Sequence, residues 1–205
     1  MADTRPHPGS QNVDDLEDLY ATPPPWDTGR PQPAFLALAE AGAIRGRGLD
    51  VGCGTGEHTL MAAGLGLDAT GVDLASKALR VAENKASERG MTVRFLHHDV
   101  QRLGALGESY DTVLDSLVFH IFGGTSRTTY VESLWSVLRP GGRYFMLCFS
   151  DRQPGELGLP HKLTQSEIIT AFSEGWQVDS IEPTTIEAPR HPDGIHGWLA
   201  AVTRT

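Results

Sequence analysis

The sequence predicts a doubly wound α/β fold, and three observations support that prediction. Short apolar segments alternate with amphipathic segments from residue 47 onward. The connections between them are short and rich in glycine and proline, which favours parallel strands joined by helical crossovers. A run of closely spaced glycines follows the first strand, at the point where folds of this class bind ligands. With 205 residues, the chain is expected to form one domain with one extension.

The expected elements follow one another in a regular order. Apolar, β-type segments predict strands at 48–51, 69–73, 92–97, 111–115, 143–149, 176–183 and 198–203. Apolar residues at helical spacing predict helices at 34–43, 57–65, 75–89 and 126–138. We expect Gly90 to end the third of these helices and the sequence Pro140-Gly141-Gly142 to end the fourth. A further helix begins at Thr164, because Thr164 and Glu167 form a capping-box pattern.

The N-terminal part of the chain differs in composition from the rest. Residues 1–15 contain prolines, acids and almost no apolar residues, which is typical of a disordered tail. Residues 16–44 include a proline-rich stretch at 23–33 that is expected to be extended and rigid, since proline fixes φ and removes a donor. We therefore divide the chain into a tail (1–15), an N-terminal covering segment (16–44) and a main domain (45–205).

Charge and hydropathy limit the classes of partner. The net charge is −9 and the isoelectric point is about 5.3, so binding to nucleic acid is disfavoured. No apolar run approaches the roughly 20 residues that a membrane helix needs, and the N-terminus has no signal-peptide pattern. We expect a cytoplasmic protein that contacts neither nucleic acid nor membrane. The oligomeric state is left open by the sequence.

The turn after the first strand has the sequence LDVGCGTG at residues 49–56. Glycines there permit positive φ and a close approach of the backbone to a nucleotide-like ligand. The spacing G-x-G-x-G differs from the dinucleotide fingerprint G-x-G-x-x-G. The fingerprint would place its third glycine at position 57, which is Glu57 here, and the third glycine stands at 56 instead. Asp50, Asp73 and Asp99 lie at successive strand ends, and three carboxylates suit a cationic ligand better than a phosphate.

Four motifs together resemble those of class I S-adenosylmethionine-dependent methyltransferases: LDVGCGTG at 49–56, GVDLA at 71–75, HDV at 98–100 and LRPGG at 138–142. The resemblance implies S-adenosylmethionine as cofactor and a seven-stranded sheet of order 3-2-1-4-5-7-6 with the last strand antiparallel. It places Asp50 and the glycine loop near the methionine moiety, Asp73 on the ribose and Asp99 near the adenine. The expected cofactor-binding residues are Trp26, Arg30, Asp50, Gly52, Cys53, Gly54, Thr55, Gly56, Asp73, Leu74, Asp99, Val100, Asp115 and Ser116.

The implied strand order also bears on the two cysteines. Cys53 follows the first strand and Cys148 ends the fifth, with the fourth strand between them. Two strand spacings of ~4.8 Å exceed the distance that a disulfide spans, so we expect two buried free thiols.

Two segments indicate the kind of methyl acceptor. The slot after the fourth strand, residues 115–120, lacks the [DNS]-P-P-[YF] motif of enzymes that methylate amines of bases. The segment PWDTGRPQ at 25–32 resembles the one that precedes the core in thiopurine, thiol and halide methyltransferases and in small actinobacterial methyltransferases of heterocycles or phenols. In that group it folds over the cofactor, which would bring Trp26 and Arg30 to the methionine end. A rigid linker whose tryptophan fills a surface groove is the alternative.

The expected acceptor pocket is formed by Tyr20, Trp26, Phe119, His120 and Phe122, with a loop at 151–162 able to close over it. His120 is the first candidate for a catalytic base, since the loop after the fourth strand faces the transferred methyl in the family. A histidine that only packs among its apolar neighbours is the alternative. His97 and His98 point to opposite faces of a strand, so no metal site is expected.

These observations favour an enzyme that transfers a methyl group to N, O or S of a small aromatic or heterocyclic molecule. A thiol or halide methyltransferase is the near alternative. A module that binds S-adenosylmethionine without catalysis and a nicotinamide oxidoreductase are alternatives from other classes.

Overall fold

The computed structural model describes residues 17, 18, 20, 24, 26–155 and 161–205. The predicted tail, residues 1–15, lies outside the described residues. The helices are α1 Pro33–Glu40, α2 Glu57–Gly64, α3 Ser76–Glu88, α4 Gly124–Val137 and α5 Gln165–Ala171. The strands are β1 Arg47–Val51, β2 Asp68–Asp73, β3 Arg94–His97, β4 Tyr110–Ser116, β5 Leu138–Phe149, β6 Trp176–Ala188 and β7 His191–Arg204.

The seven strands form one sheet of order β3-β2-β1-β4-β5-β7-β6. The neighbours from β3 to β5 pair in parallel, and β7 pairs antiparallel with both β5 and β6. This confirms the predicted fold class, the strand order and the antiparallel last strand. The carboxyl ends of β1, β2, β3 and β4 consequently meet at one edge of the sheet.

Apolar side chains of alternate residues divide between two layers. Val113, Tyr144 and Met146 face one layer, which is closed by residues of α4 and α5. Leu114 and Phe145, their neighbours along the same strands, face the layer that contains Phe35 of α1. This alternation follows from the pleat of a strand and places the sheet in the middle of the domain.

Several boundaries differ from the prediction. Strand β5 begins at Leu138 and continues through Pro140-Gly141-Gly142, which was expected to separate a helix from a strand. Leu138 pairs with Tyr110 and Arg143 with Thr112, so the proline and glycines form an irregularity inside the paired strand. The last two strands are also longer than predicted, because they form a hairpin that extends beyond the edge of β5. Short 3₁₀ turns at Val100–Leu106 and Phe119–Ile121 were not predicted.

Other local predictions are confirmed. Thr164 and Glu167 form the expected reciprocal capping box at α5. Cys53 and Cys148 are buried free thiols. The longest described helix, α4, has 14 residues, and no described helix is both long and apolar enough to span a bilayer.

Candidate functional site

The glycine loop between β1 and α2 adopts a conformation that favours glycine. The φ values of Gly52, Gly54 and Gly56 are 60°, 52° and 86°, all in the left-handed region. A Cβ on Gly56 would lie 2.7 Å from the Cβ of Ala82 and 3.0 Å from the ring of Phe95. Glycine at 56 therefore lets the start of α2 pack directly against α3 and β3.

Asp73, at the end of β2, is held beside this loop by backbone groups. Its Oδ2 accepts a hydrogen bond from the Gly54 N–H at 2.8 Å, and its Oδ1 accepts one from the Ala75 N–H at 2.8 Å. Burial raises the pKa of Asp73, and these N–H donors oppose that effect. Leu74 is half-buried next to it. The structure thus brings together the glycine loop and the predicted ribose-binding acid.

Asp50 lies deeper, near the end of β1. It is 3% exposed, and Thr59 donates a hydrogen bond to its Oδ2 at 2.6 Å. Burial, with smaller effects of the Asp73 and Asp115 charges, raises its pKa to about 7. Burial likewise raises the pKa of the neighbouring Cys53 thiol, which makes this thiol unreactive.

Asp99 and Val100 follow β3 at the same edge of the sheet. Asp99 caps the 3₁₀ turn, its Oδ1 accepting from the Gln101 N–H at 2.9 Å. Val100 is 8% exposed and offers an apolar surface beside it. One carboxylate oxygen of Asp99 is therefore used by the protein itself, and the other has no such role among the described contacts.

The N-terminal segment contacts the glycine loop. The hydroxyl of Tyr20 lies 3.1 Å from the position that a Cβ of Gly54 would occupy. Tyr20 and Trp26 make an edge-to-face contact with ring centroids 6.4 Å apart. Thr55 donates a hydrogen bond to Asp27 Oδ2 at 2.8 Å. Burial and the Asp73 charge raise the pKa of Tyr20, so its hydroxyl stays protonated.

Contacts that the sequence did not predict hold this segment in place. Glu17 accepts hydrogen bonds from the N–H groups of Ser76 and Lys77 at the start of α3, at 2.6 and 3.1 Å. Gln32 exchanges two hydrogen bonds of 2.9 Å with the backbone of Glu187 in β6. No motif marks these residues, since their partners are distant along the chain.

Arg30 is paired with the sheet. Its guanidinium lies 2.8 Å from the carboxylate of Glu187 in β6, and its side chain is 67% exposed. This ion pair ties the N-terminal segment to β6, and the predicted position of Arg30 at the methionine end of the cofactor stays a prediction.

Glu57 also has a role that the sequence did not reveal. Its carboxylate pairs with Lys85 of α3 at 2.9 Å and accepts two hydrogen bonds of 3.0 Å from Arg89, the residue that follows α3. Lys85 additionally donates to Thr55 Oγ1 at 2.8 Å. The charge that distinguishes this loop from a dinucleotide fingerprint is thus compensated, and it fixes α2 to α3.

Asp115 lies at the end of β4 and is held by groups inside the protein. It has no solvent exposure, and its Oδ2 accepts from the hydroxyls of Tyr130 and Tyr144 at 2.8 and 2.5 Å. Its Oδ1 accepts from the N–H groups of Val118 and Phe119 at 2.8 and 3.3 Å. With both oxygens engaged inside the protein, Asp115 organises the following turn, and its contact with the cofactor stays a prediction.

The turn after β4 contains the remaining predicted residues. Ser116 is half-buried at the strand end, and Leu117 has a φ of 70°, which is rare for a side chain of its kind. Phe119 is fully buried between Tyr130 and Phe172, and the ring of Phe122 packs at a tilt against that of Tyr130. These two phenylalanines belong to the core cluster, and their place in the pocket wall stays a prediction.

His120 lies on the same turn and is 2% exposed. Its ring centroid is 4.6 Å from that of Phe149, and its Nδ1 has no hydrogen-bond partner among the described residues. Burial, followed by the charges of His161 and Arg127, lowers its pKa to about 3. His120 is consequently neutral at physiological pH.

A groove lies apart from this edge of the sheet. Its volume is about 650 Å³, and it lies between α4 and α5. It is lined by Arg127, Trp135, Thr164 and Trp176 among others, and none of its described lining residues was predicted as a site residue.

Among residues 17, 18, 20, 24, 26–155 and 161–205, no group of three or more potential metal ligands is close enough to hold a metal ion.

Comparisons with known proteins agree with this geometry. A family of methyltransferase domains matches residues 49–142, which include the glycine loop, Asp73 and Asp99. The 2-heptyl-1-hydroxyquinolin-4(1H)-one methyltransferase of Mycobacteroides abscessus is 35% identical over 173 residues, which cover 83% of this chain and 76% of that protein.

Solved structures share the fold. A protein studied for the conversion of a disulfide bond into a thioacetal group during echinomycin biosynthesis is 35% identical, with a TM-score of 0.85 over 94% of this chain and 93% of that one. The N-methyltransferase NodS of Bradyrhizobium japonicum, solved with S-adenosyl-l-homocysteine, is 19% identical, with a TM-score of 0.73 over 95% of this chain and 99% of that one. The second likeness concerns the fold alone.

Proposed function

Because this chain belongs to the methyltransferase family, we propose that it transfers the methyl group of S-adenosylmethionine to N, O or S of a small aromatic or heterocyclic molecule. The observation that carries this proposal is the Asp73 carboxylate, which the N–H groups of Gly54 and Ala75 hold beside a loop of three positive-φ glycines. This arrangement fixes an acceptor for hydroxyl groups next to a surface that a ligand can approach closely.

The residues at this edge fit the cofactor. Each oxygen of Asp73 has one backbone donor and retains acceptor capacity for the two hydroxyls of a ribose. Asp73 and the ionised form of Asp50 place negative charge near the loop, which suits a sulfonium cation. Asp99 and Val100 offer an acceptor and an apolar surface for an adenine. When bound, S-adenosylmethionine supplies an electrophilic methyl carbon whose leaving group is a neutral thioether.

The protein would contribute position and exclusion of water. Tyr20, Trp26 and Asp27 contact one another or the glycine loop, so residues 16–44 are proposed as the segment that covers the cofactor and one side of the acceptor. Ser116 and His120 would face the acceptor from the turn after β4. An ordered, dry site of this kind accelerates a displacement by holding the nucleophile in line with the methyl carbon.

The relatives support a small acceptor without selecting one atom. One relative is named for a hydroxyquinolone, a bicyclic heterocycle, and the other comes from work on the sulfur chemistry of echinomycin. The described part of the chain adds no module to the methyltransferase fold beyond the N-terminal segment and the long β6–β7 hairpin. Action in the cytoplasm remains a prediction from the sequence.

Calorimetric titration with S-adenosylmethionine and S-adenosylhomocysteine tests the cofactor site. In Asp73→Ala, affinity for both is expected to fall about 100-fold, since two hydrogen bonds to a charged group are lost. Asp68→Ala is the matched control, because Asp68 lies at the other end of the same strand with a largely exposed carboxylate. Equal affinities of the two variants would contradict the assignment of Asp73.

Activity is tested by incubating the protein with methyl-labelled donor and a panel of phenols, thiols and azaheterocycles. A labelled product from at least one aromatic or heterocyclic acceptor is expected. Tight cofactor binding with no labelled product from the panel would instead favour a module that binds the cofactor without catalysis.

A further inference from the structure

The most unusual polar atom on the turn after β4, where the methyl acceptor is proposed to bind, is the Nδ1 of His120. It is buried and has no hydrogen-bond partner among the described residues, although the ring itself packs closely on Phe149. An unpaired buried nitrogen destabilises the folded state, and native proteins rarely retain one without a purpose. A ligand that supplies the missing partner would remove this cost.

The backbone of the turn that carries His120 is held at both ends by hydrogen bonds. At one end of the turn, Asp115 accepts from the N–H groups of Val118 and Phe119. At the other end, the Arg127 side chain donates from Nε to the Phe122 carbonyl at 3.0 Å. The backbone that carries the ring is therefore held in place before any ligand arrives, and the ring packs on Phe149, which is the arrangement expected of a preorganised binding group.

The charged groups around His120 oppose its protonation. Arg127 of α4 and His161, which precedes α5, are the basic groups that act on it, and both favour the neutral ring. The nearby carboxylate, Asp115 of β4, is already bound by four donors and turns its Oδ2 toward Tyr130 and Tyr144. A base works best when its pKa lies near the operating pH, so His120 is poorly suited to remove a proton.

We propose that His120 binds, as a neutral ring, the oxygen of an acceptor that has already lost its proton, so that the acceptor class is an acidic hydroxyl on an aromatic or heteroaromatic ring. This inference rests on the proposed function. The hydroxyl proton passes to water before the acceptor binds. A lone pair of the oxyanion forms the new O–C bond, the C–S bond breaks, and its electron pair stays on the sulfur. No proton moves to His120.

Absorbance of a bound phenol tests this directly and without turnover. The protein saturated with S-adenosylhomocysteine is titrated with 4-nitrophenol, whose anion absorbs in the visible, and with 4-methylphenol, which has a similar size and is much less acidic. We expect 4-nitrophenol to bind as the anion at a pH where the free phenol is largely protonated. We expect 4-methylphenol to bind at least about tenfold more weakly.

Variants of His120 assign the effect to this ring. His120→Leu is expected to weaken binding of the nitrophenolate about tenfold, and His120→Asn, which keeps a hydrogen-bonding group but no base, is expected to restore most of it. Thr129→Ala, an exposed change on α4, is the control. In turnover with a series of phenols, the acidic limb of kcat/KM is expected to follow the pKa of each phenol.

Several results would overturn the inference. These are binding of 4-nitrophenol in its protonated form, no binding of either phenol, equal binding by wild type and His120→Leu, or an acidic limb that stays at one pH for every phenol. Calorimetry with S-adenosylhomocysteine separates the two proposals. If the cofactor product does not bind, the proposed function fails, whereas binding of that product with failure of the phenol measurements rejects only the role of His120.

Discussion

The donor side of the proposed cleft, at the ends of β1 and β2, is held differently from the acceptor side, at the turn after β4. On the donor side, backbone conformation and backbone N–H groups determine the shape of the site. Three glycines adopt positive φ, and Asp73 is fixed by the N–H groups of Gly54 and Ala75. On the acceptor side, Asp115 is fixed by two nearby N–H groups and, in addition, by the hydroxyls of Tyr130 and Tyr144 from α4 and β5.

This difference determines how each side tolerates change. A site built from backbone groups depends on which residues can adopt the required φ and fit the available space. A site built from distant side chains depends on hydrogen bonds that one substitution can leave unsatisfied. The donor side is consequently expected to be sensitive at glycines, and the acceptor side at buried polar side chains.

The largest effect is expected for Gly56→Ala. Alanine at φ 86° costs about 1 kcal/mol, and its Cβ would overlap Ala82 and Phe95, which adds about 1–3 kcal/mol. Gly66→Ala is the matched control, because Gly66 has a φ of 80° with open space around it. Urea unfolding without cofactor should show a loss of about 3 kcal/mol for the first variant and about 1 kcal/mol for the second. Equal losses would show that the close packing at residue 56 does not affect the free energy of unfolding.

The next largest effect is expected for Asp115→Asn. Four donors now bind the two carboxylate oxygens. The NH2 of an asparagine is itself a donor and cannot accept from them, so one or two buried groups lose a partner. Urea unfolding at pH 8 should show a loss of about 2 kcal/mol. Asp111→Asn, on the same strand but half-exposed and paired with Arg139, should lose less than about 1 kcal/mol. A loss in Asp115→Asn no greater than this control would argue against the network.

Asp50→Asn is expected to stabilise the folded protein at alkaline pH, whereas the two preceding variants destabilise it. Asp50 is buried with Thr59 as its side-chain partner, and its pKa is raised from 3.8 to about 7. The folded state therefore binds the proton more tightly than the unfolded state. The stability from this group is full below pH 3.8 and is lost as the pH rises through about 7.

Removing the charge should thus help most above pH 7. At pH 8, Asp50→Asn is expected to be more stable than wild type by about 1 kcal/mol, or ~2–4 °C in Tm. The difference between the two proteins should shrink as the pH is lowered toward 4. A difference that is constant with pH would mean that Asp50 does not change its protonation state in this range.

The same contrast explains what could be predicted from the sequence. The glycine loop and Asp73 were identified because local spacing encodes a backbone conformation and a strand end. The strand order followed from the resemblance to a family. The packing of Phe119 and Phe122 in the core and the internal hydrogen bonds of Asp115 have no local signal in the sequence. Tyr130 and Tyr144 lie 15 and 29 residues from Asp115, and no local pattern reveals that both hydroxyls converge on it.

The smallest effect is expected where the N-terminal segment meets the donor side. Glu17 accepts from the N–H groups of Ser76 and Lys77, directly after the Asp73 turn, and thereby holds the segment that includes Tyr20 over Gly54. Glu17→Gln keeps the shape but weakens a charged cap at a helix N-terminus, which is worth about 0.3–1 kcal/mol. Dissociation of S-adenosylhomocysteine, measured by stopped-flow fluorescence, should become about two- to fivefold faster with little change in Tm. Asp18→Asn, at an exposed neighbour, is the control. If both variants release the ligand at the wild-type rate, the segment does not limit exchange, and the donor side is closed by its backbone alone.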